Sequence, residues 1–399
     1  MAKQSALASV SPDKAENIIA ALRMGVPPDK GAELYSVGRN ELLAYFDQTF
    51  EALHNKGISG IKFVSGDWGR GKSHFLDLLR DNALKHNFVV SKVELKSGEV
   101  SFDQLPLVIQ RIMDNLVTLN STNDGLEGLL NEWSQSTLNE TENALFGALE
   151  NQGIDGDMRL KLIEYRRYRN TSDGPQYERC LQVVRWFQGR ETKTKTWTNV
   201  PRFLKSLITF IRYIGYSGLI ILLDEAEAIT SLSRISRVDL ANENIRQIID
   251  NDLGTRFFYL VFASTPSFLS GEHEHGAQSY PALWRRIRNQ LPDIETKSLR
   301  NIIVELPELN EAQLAEVASK IKSIYQVTHG KSIRLVTEKH LKILASYVMT
   351  HQDRSIGTMV RSTVQILDQA VEHGFNFISR FELIVERVAE QEAIDRARG

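Results

Sequence analysis

Ile61-Lys62-Phe63-Val64-Ser65-Gly66-Asp67-Trp68-Gly69-Arg70-Gly71-Lys72-Ser73-His74 is the stretch that decides the fold. Residues 61–65 read as a strand. Gly66-x-x-x-x-Gly71-Lys72-Ser73 follows, and His74 to Lys85 reads as a helix. Strand, glycine-rich loop and helix in that order form a phosphate-binding loop. The glycines let backbone N–H groups turn inward around a β-phosphate without side-chain clash. The helix N-terminus adds partial positive charge. Lys72 is expected to reach the β- and γ-phosphates, and the Ser73 hydroxyl to ligate Mg²⁺. Residues Gly66, Asp67, Trp68, Gly69, Arg70, Gly71, Lys72, Ser73 and His74 are therefore the candidate nucleotide-binding set.

Working outward, Phe88 to Leu95 is a second strand, which completes a β-loop-α-β unit and opens a mostly parallel sheet. Leu219-Ile220-Ile221-Leu222-Leu223-Asp224-Glu225 is an apolar strand ending in two carboxylates. Such acids emerge at the carboxyl edge of the sheet, where ligands bind in open α/β folds. Asp224 is expected to hold Mg²⁺, directly or through water, and Glu225 to polarise an attacking water. Alone, the run could be a strand ending in solvated acids; the upstream phosphate loop favours the functional reading. Phe257 to Ala263 is a further buried strand and ends in Ser264-Thr265-Pro266. Ile302 to Leu306 is a shorter one.

Composition fits this reading. The 399 residues are 42 % hydrophobic and 25 % charged, ordinary for a soluble globular chain. Lys plus Arg is 48 and Asp plus Glu is 50, a formal net charge of -2. Global charge thus gives no argument for nucleic acid, and any such surface would be a local basic patch. Cys180 is the one cysteine, which excludes an intrachain disulfide and Cys/His zinc clusters. It reads as a packed thiol in a helix. The N-terminus carries no signal peptide and no apolar run is long enough to span a bilayer, so a cytoplasmic protein without membrane contact is expected.

The remaining sequence is mostly helical. Ser11 and Pro12 open a helix that Gly25, Pro27 and Pro28 stop. Residues 40–56 carry a second helix. Residues 103–200 read as a helical insertion with turns at 120–125, 151–156 and 170–175. Helices follow at 202–214 and 238–252. From residue 310 the pattern is helical, near 310–325, 337–350, 355–373 and 378–396. The expected layout is a core in two parts, 1–102 and 201–308, with an insertion at 103–200 and a helical lid domain at 309–399.

The six motifs, taken together, resemble the AAA+ superfamily, especially its origin-recognition-like and signal-transduction branches. That resemblance implies a sensor at the end of the 257–263 strand, with Thr265 first and Ser264 second; a helix-capping hydroxyl is the plainer reading. It implies an arginine finger among Arg285, Arg286 and Arg288, where a solvated or DNA-facing basic turn is the alternative. It implies a lid arginine, Arg361 or Arg354, where a surface arginine is the alternative. The segment Val37-Gly38-Arg39-Asn40-Glu41 would line the adenine pocket or simply start a helix. The stretch Phe63 to Arg80, then Ala83-Leu84 and Phe88-Val89-Val90-Ser91, resembles the BREX-system ATP-binding family, which includes the BrxC and BrxD ATPases of bacterial phage defence. Its length is closer to the BrxD type. Tails of this kind often read Pro-Arg-x-x-x-Arg, whereas this chain has Ile356-Gly357-x-x-x-Arg361.

Two functions follow as expectations. The first is an ATP- and Mg²⁺-dependent motor or loader on double-stranded DNA, working with other defence proteins and forming an ATP-dependent homo-oligomer. DNA contact would come from Arg166-Arg167-Tyr168-Arg169 or from Arg285, Arg286 and Arg288. The second is a nucleotide-gated switch or scaffold with slow hydrolysis. A small-molecule kinase is disfavoured because no acceptor-site signature is present.

Overall fold

The computed structural model describes residues 10–28, 30–120, 125–169, 175–190, 200–250, 254–270, 275–288, 298–329, 333–350, 355–374 and scattered positions from 380 to 394. Its sheet has six strands: β1 (Ser59–Ser65), β2 (Val89–Glu94), β3 (Leu116–Val117), β4 (Leu219–Asp224), β5 (Phe258–Ser264) and β6 (Ile303–Glu305). Their spatial order is β3-β2-β4-β5-β1-β6. All pairings are parallel except that of β3 with β2. The sequence reading missed β3, whose two residues are too few to show a period.

Burial explains why the central strands are apolar throughout. Every residue of β4 and β5 is buried, as both faces of a parallel sheet demand. Phe63 of β1 and Phe262 of β5 stack with centroids 4.8 Å apart. The register pairs Ser65 with Ser264 and Glu305, and Glu94 with Asp224. One carboxyl edge therefore carries Asp224, Ser264 and Ser65 at strand ends. The loop Gly66–Ser73 continues directly from Ser65.

The chain divides into two compact units. One contains residues 44–65 and 79–305, hence the sheet and the helices of the insertion. Those helices are α4 (Leu105–Asp114), α5 (Gly125–Ser136), α6 (Glu142–Asn151), α7 (Gly156–Arg169) and α8 (Pro175–Phe187), counted after α1 (Pro12–Arg23), α2 (Asn40–Lys56) and α3 (Lys72–Lys85). The unit continues with α9 (Val200–Tyr213), α10 (Ile235–Asp250), α11 (Pro266–Leu269) and α12 (Pro281–Ile287). The other unit holds residues 1–43, 66–78 and 306–399. It gathers α1, the phosphate loop and α13 (Glu311–His329), α14 (Glu338–Thr350) and α15 (Ile356–His373). The expected helix at 378–396 lies largely outside the described residues.

In this second unit α1 is capped as its sequence predicts: Ser11 accepts from Lys14 N–H and Pro12 sits in the first turn. Arg23 at its far end forms a fork with Asp368 of α15, at 2.8 and 2.9 Å. Asp368 also accepts from the Tyr325 hydroxyl of α13 at 2.7 Å. Thus one carboxylate ties three helices together over an apolar core that includes Ile18, Ile321 and Leu367.

The insertion corrects one expectation. Arg166 is buried and serves no outer surface. It donates to the Thr137 hydroxyl at 3.2 Å and to the carbonyls of Thr137 and Glu140 at 2.6 Å each. These carbonyls lie just past the C-terminus of α5, where acceptors lack intrahelical partners. Arg167 is exposed but forks onto Glu142, at 2.9 and 2.6 Å. The run 166–169 is therefore not a free basic patch. Cys180 is buried as expected, and burial pushes its thiol up.

Arg166→Ala leaves several buried acceptors without donors. Urea unfolding should show a loss of about 2–4 kcal/mol, against at most about 0.5 kcal/mol for exposed Arg169→Ala. Equal effects would contradict the capping role.

Candidate nucleotide site

The phosphate loop meets a strict bookkeeping requirement. If its N–H groups turn toward an anion, its carbonyls face outward and need donors. Five donors come from within the loop's own unit. The Lys72 ammonium donates to Gly66 O at 3.0 Å. Arg70 N–H donates to Asp67 O at 3.3 Å, and Ile356 N–H to Gly69 O at 3.0 Å. The Arg39 guanidinium donates to Arg70 O at 3.0 Å. Gly71 O is then taken by Phe75 N–H of α3 at 2.9 Å. Gly69 and Gly71 hold φ of 77° and 85°, in the left-handed region where a side chain would be strained.

The supporting residues come from both ends of the chain. Ser355 caps α15 by accepting from Thr358 N–H, and its hydroxyl approaches Gly69 O at 3.5 Å. The N-terminus of α15 thus grips the loop. Arg39 is buried and also donates to Pro307 O. Burial, with the Arg70 charge nearby, lowers its pKa to about 10, so it remains a cation at neutral pH. Arg70 in turn pairs with Asp67 at 3.3 Å and with Glu308. Val37 is buried, and Gly38 (φ 69°) leaves room for Leu309 and Gln313. Of the 37–39 segment, Arg39 reaches the loop through Arg70 O.

Trp68 is 67 % exposed, and the Lys72 ammonium lies 5.1 Å from its ring centre. His74 meets the buried Tyr35 ring at 4.6 Å. Burial, then the Asp77 charge, push the Tyr35 hydroxyl up, so it stays protonated. Sequence reasoning missed Tyr35, Ser355 and Ile356. Only Ser355 had a signal, as a capping residue ahead of a helix.

The sheet unit carries the acidic group. Asp224 is buried at the end of β4, and its Oδ1 accepts from Glu225 N–H at 3.1 Å. Glu225 adopts φ 58°, ψ 46° at the start of a 3-10 turn over 226–231. A non-glycine residue there is uncommon and marks strain or function. Glu227 Oε2 accepts from Thr265 N–H at 3.3 Å. Thr265 is buried and its hydroxyl pairs with that of Ser267 at 3.0 Å. It caps α11 by position, with no side-chain cap bond. The Ser264 hydroxyl is fully buried with no hydrogen-bond partner among the described residues. Hard oxygen donors of this kind at the carboxyl edge suit Mg²⁺.

The arginines separate. Arg286 forks onto Asp250 of α10 and also donates to Ala282 O at 2.7 Å. Arg246 pairs with Asp250 and Glu243, and the Tyr280 hydroxyl donates to Glu243 at 2.8 Å. Arg286 therefore fastens α12 to α10. Arg285 and Arg288 are exposed. Arg361 of α15 lies against Gly25 (φ 75°), where any side chain would run into its guanidinium. Arg354 lies outside the described residues.

A mostly parallel sheet, a glycine-rich loop between β1 and α3, and acids at the end of β4 define an α/β protein of the P-loop NTPase class, with a helical insertion and a C-terminal helical domain. The chain belongs to the BREX system ATP-binding protein BrxC/D family, whose profile matches residues 10–375. A search of curated proteins returns no match. Among solved structures it is similar to the ORC2 protein of Aeropyrum pernix in ADPNP–ADP complexes. Identity there is 11 %, over 88 % of this chain and 67 % of that one, with a TM-score of 0.43. It is similar also to Cdc6p of Pyrobaculum aerophilum, at 13 % identity over 86 % and 65 %, with a TM-score of 0.40.

Because Trp68 sits beside Lys72, phosphate binding to that ammonium should change tryptophan emission. Titration with ATP is expected to give a saturable change that Trp68→Phe removes while calorimetric affinity stays within about threefold. Arg39→Gln, which withdraws a charged donor from Arg70 O, should weaken ATP by about tenfold.

Proposed function

We propose that this chain binds ATP with Mg²⁺ and hydrolyses it as an AAA+ component of a cytoplasmic phage-defence system. The observation that carries the proposal is the phosphate loop with the carbonyls of Gly66, Asp67, Gly69, Arg70 and Gly71 bonded and with Gly69 and Gly71 in the left-handed region. Such a loop is preorganised for a polyphosphate and needs little reordering on binding. Lys72 is assigned to the β- and γ-phosphates. Ser73 and Asp224 are the oxygen ligands assigned to Mg²⁺, which when bound neutralises developing phosphate charge. The Glu225 carboxylate takes a proton from the attacking water. Thr265 orients that water or the γ-phosphate; Ser264 is second for this role. Val37, Gly38 and Arg39 are assigned to the adenine side of the nucleotide, and Arg39 also braces the loop through Arg70 O. Arg361 is the lid candidate.

The partners assigned are other defence-system proteins and, for the motor reading, double-stranded DNA and further copies of this chain. Arg285 and Arg286 are the residues assigned to the finger, with Arg288 a further candidate; Arg286 also forks onto Asp250. A nucleotide-gated scaffold is the second reading. It is favoured by the internal use of Arg166, Arg167 and Arg286, which narrows the basic surface available to DNA. Among the described residues no helix is long and apolar enough to cross a membrane.

Lys72→Ala should abolish measurable ATP turnover. Glu225→Gln should retain ATP while slowing turnover by about 10²- to 10⁴-fold, as loss of a general base does. Normal turnover in both variants refutes the assignment. DNA-stimulated turnover that falls steeply with salt supports the motor; turnover indifferent to DNA, with no DNA retained at low salt, supports the scaffold.

A further inference from the structure

The sheet has a second end, away from the carboxyl edge. Just before β5, a cavity of about 450 Å³ is lined by Gln152, Lys205, Thr209, Arg212, Tyr213 and Arg256, with Phe257 along one wall. The seven residues of β5 separate it from Thr265, which at the strand rise is about 20 Å. It is therefore distinct from the nucleotide edge, and it lies wholly within the sheet unit.

The lining carries three cations and no carboxylate. The Arg212 guanidinium lies 4.1 Å from the centre of the Phe257 ring, and Arg256 lies 5.5 Å from the same ring. Arg212 donates to Tyr216 O at 3.1 Å. Arg256 donates to Gly57 O at 3.0 Å and Lys56 O at 2.9 Å. These carbonyls satisfy hydrogen bonds but do not cancel charge. Both guanidiniums are drawn to one ring, and burial already disfavours the charged form of Arg212. An anion would relieve that cost.

The backbone is committed to this arrangement. Phe257 holds φ 58°, an outlier for a bulky residue. Its N–H donates to Ile58 O and its carbonyl accepts from Leu219 N–H, each at 3.0 Å. Gly218, at φ 138°, leaves the space that this carbonyl needs. Strain of this kind persists where the surroundings over-determine it, often at ligand clamps.

We infer that this cavity binds a small phosphorylated ligand, with Lys205, Arg212 and Arg256 on its phosphate and the Tyr213 and Phe257 rings beside its organic part. The planar forks of two arginines match phosphate oxygens. The volume falls within the range of small-molecule sites and is concave, which favours a compact ligand over a polymer backbone.

The test uses the full chain carrying Lys72→Ala, so that the phosphate loop is weakened, with inorganic pyrophosphate as the probe in calorimetry at fixed salt. One saturable site should remain. Lys205→Ala and Arg256→Gln, each added to that background, should weaken it about tenfold, the effect of losing one charge-assisted contact. Lys205 is exposed, so its substitution should leave the protein folded. Absence of binding, or binding that neither substitution alters, overturns the inference. So does Lys205-dependent binding of a single-stranded oligonucleotide without pyrophosphate binding, since the surface would then read a polymer.

Discussion

The carbonyl oxygens of residues 66–71 are the constraint on which the rest depends. A loop that presents most of its N–H groups to a phosphate has few left to bond internally, here Arg70 N–H to Asp67 O, so most of its carbonyls must find donors elsewhere. This chain supplies them from residues far apart in sequence: Arg39 before the loop, Lys72 and Phe75 after it, and Ile356 near the other end. The requirement explains why residues 1–43 and 306–399 share a compact unit with a short loop from the middle of the chain. The first N–H of α15, in the helical tail, fixes the Gly69 carbonyl. Arg39, buried with two carbonyls to satisfy, fixes that of Arg70.

Much of this was legible in the sequence because it is local. The apolar runs of β4 and β5, the glycine spacing of the loop and the Ser-Pro start of α1 follow from side-chain and backbone chemistry within a few residues. The sequence order of the strands was likewise readable. Their spatial order, with β5 between β1 and β4, was not, because it depends on crossover connections rather than on any single segment. Donors to the loop's carbonyls escaped for the same reason. Nothing near Ile356 marks its N–H as a partner of Gly69, more than two hundred residues away.

The arginines show how a residue type misleads when its partners are distant. Arg166-Arg167-Tyr168-Arg169 reads as a basic surface because adjacent charges usually face water. In the fold Arg166 turns inward, since the carbonyls past α5 need a donor and a guanidinium can reach three acceptors at once. Arg286 is likewise withdrawn by Asp250, whose position on α10 no spacing rule links to α12.

Two strained residues frame the sheet and sharpen the distinction between its ends. Glu225 follows β4 at φ 58°, and Phe257 precedes β5 at the same φ. Glycine would hold either conformation at lower cost, by about 1–2 kcal/mol relative to a residue with a Cβ, and asparagine tolerates it through its local hydrogen bonding. Neither glycine nor asparagine would place a carboxylate at the carboxyl edge, or an aromatic ring under two guanidiniums at the opposite one. Strain of this kind, on adjacent strands and at opposite edges, persists only where the surrounding contacts over-determine the backbone, and both residues are held in that way by buried strands on either side.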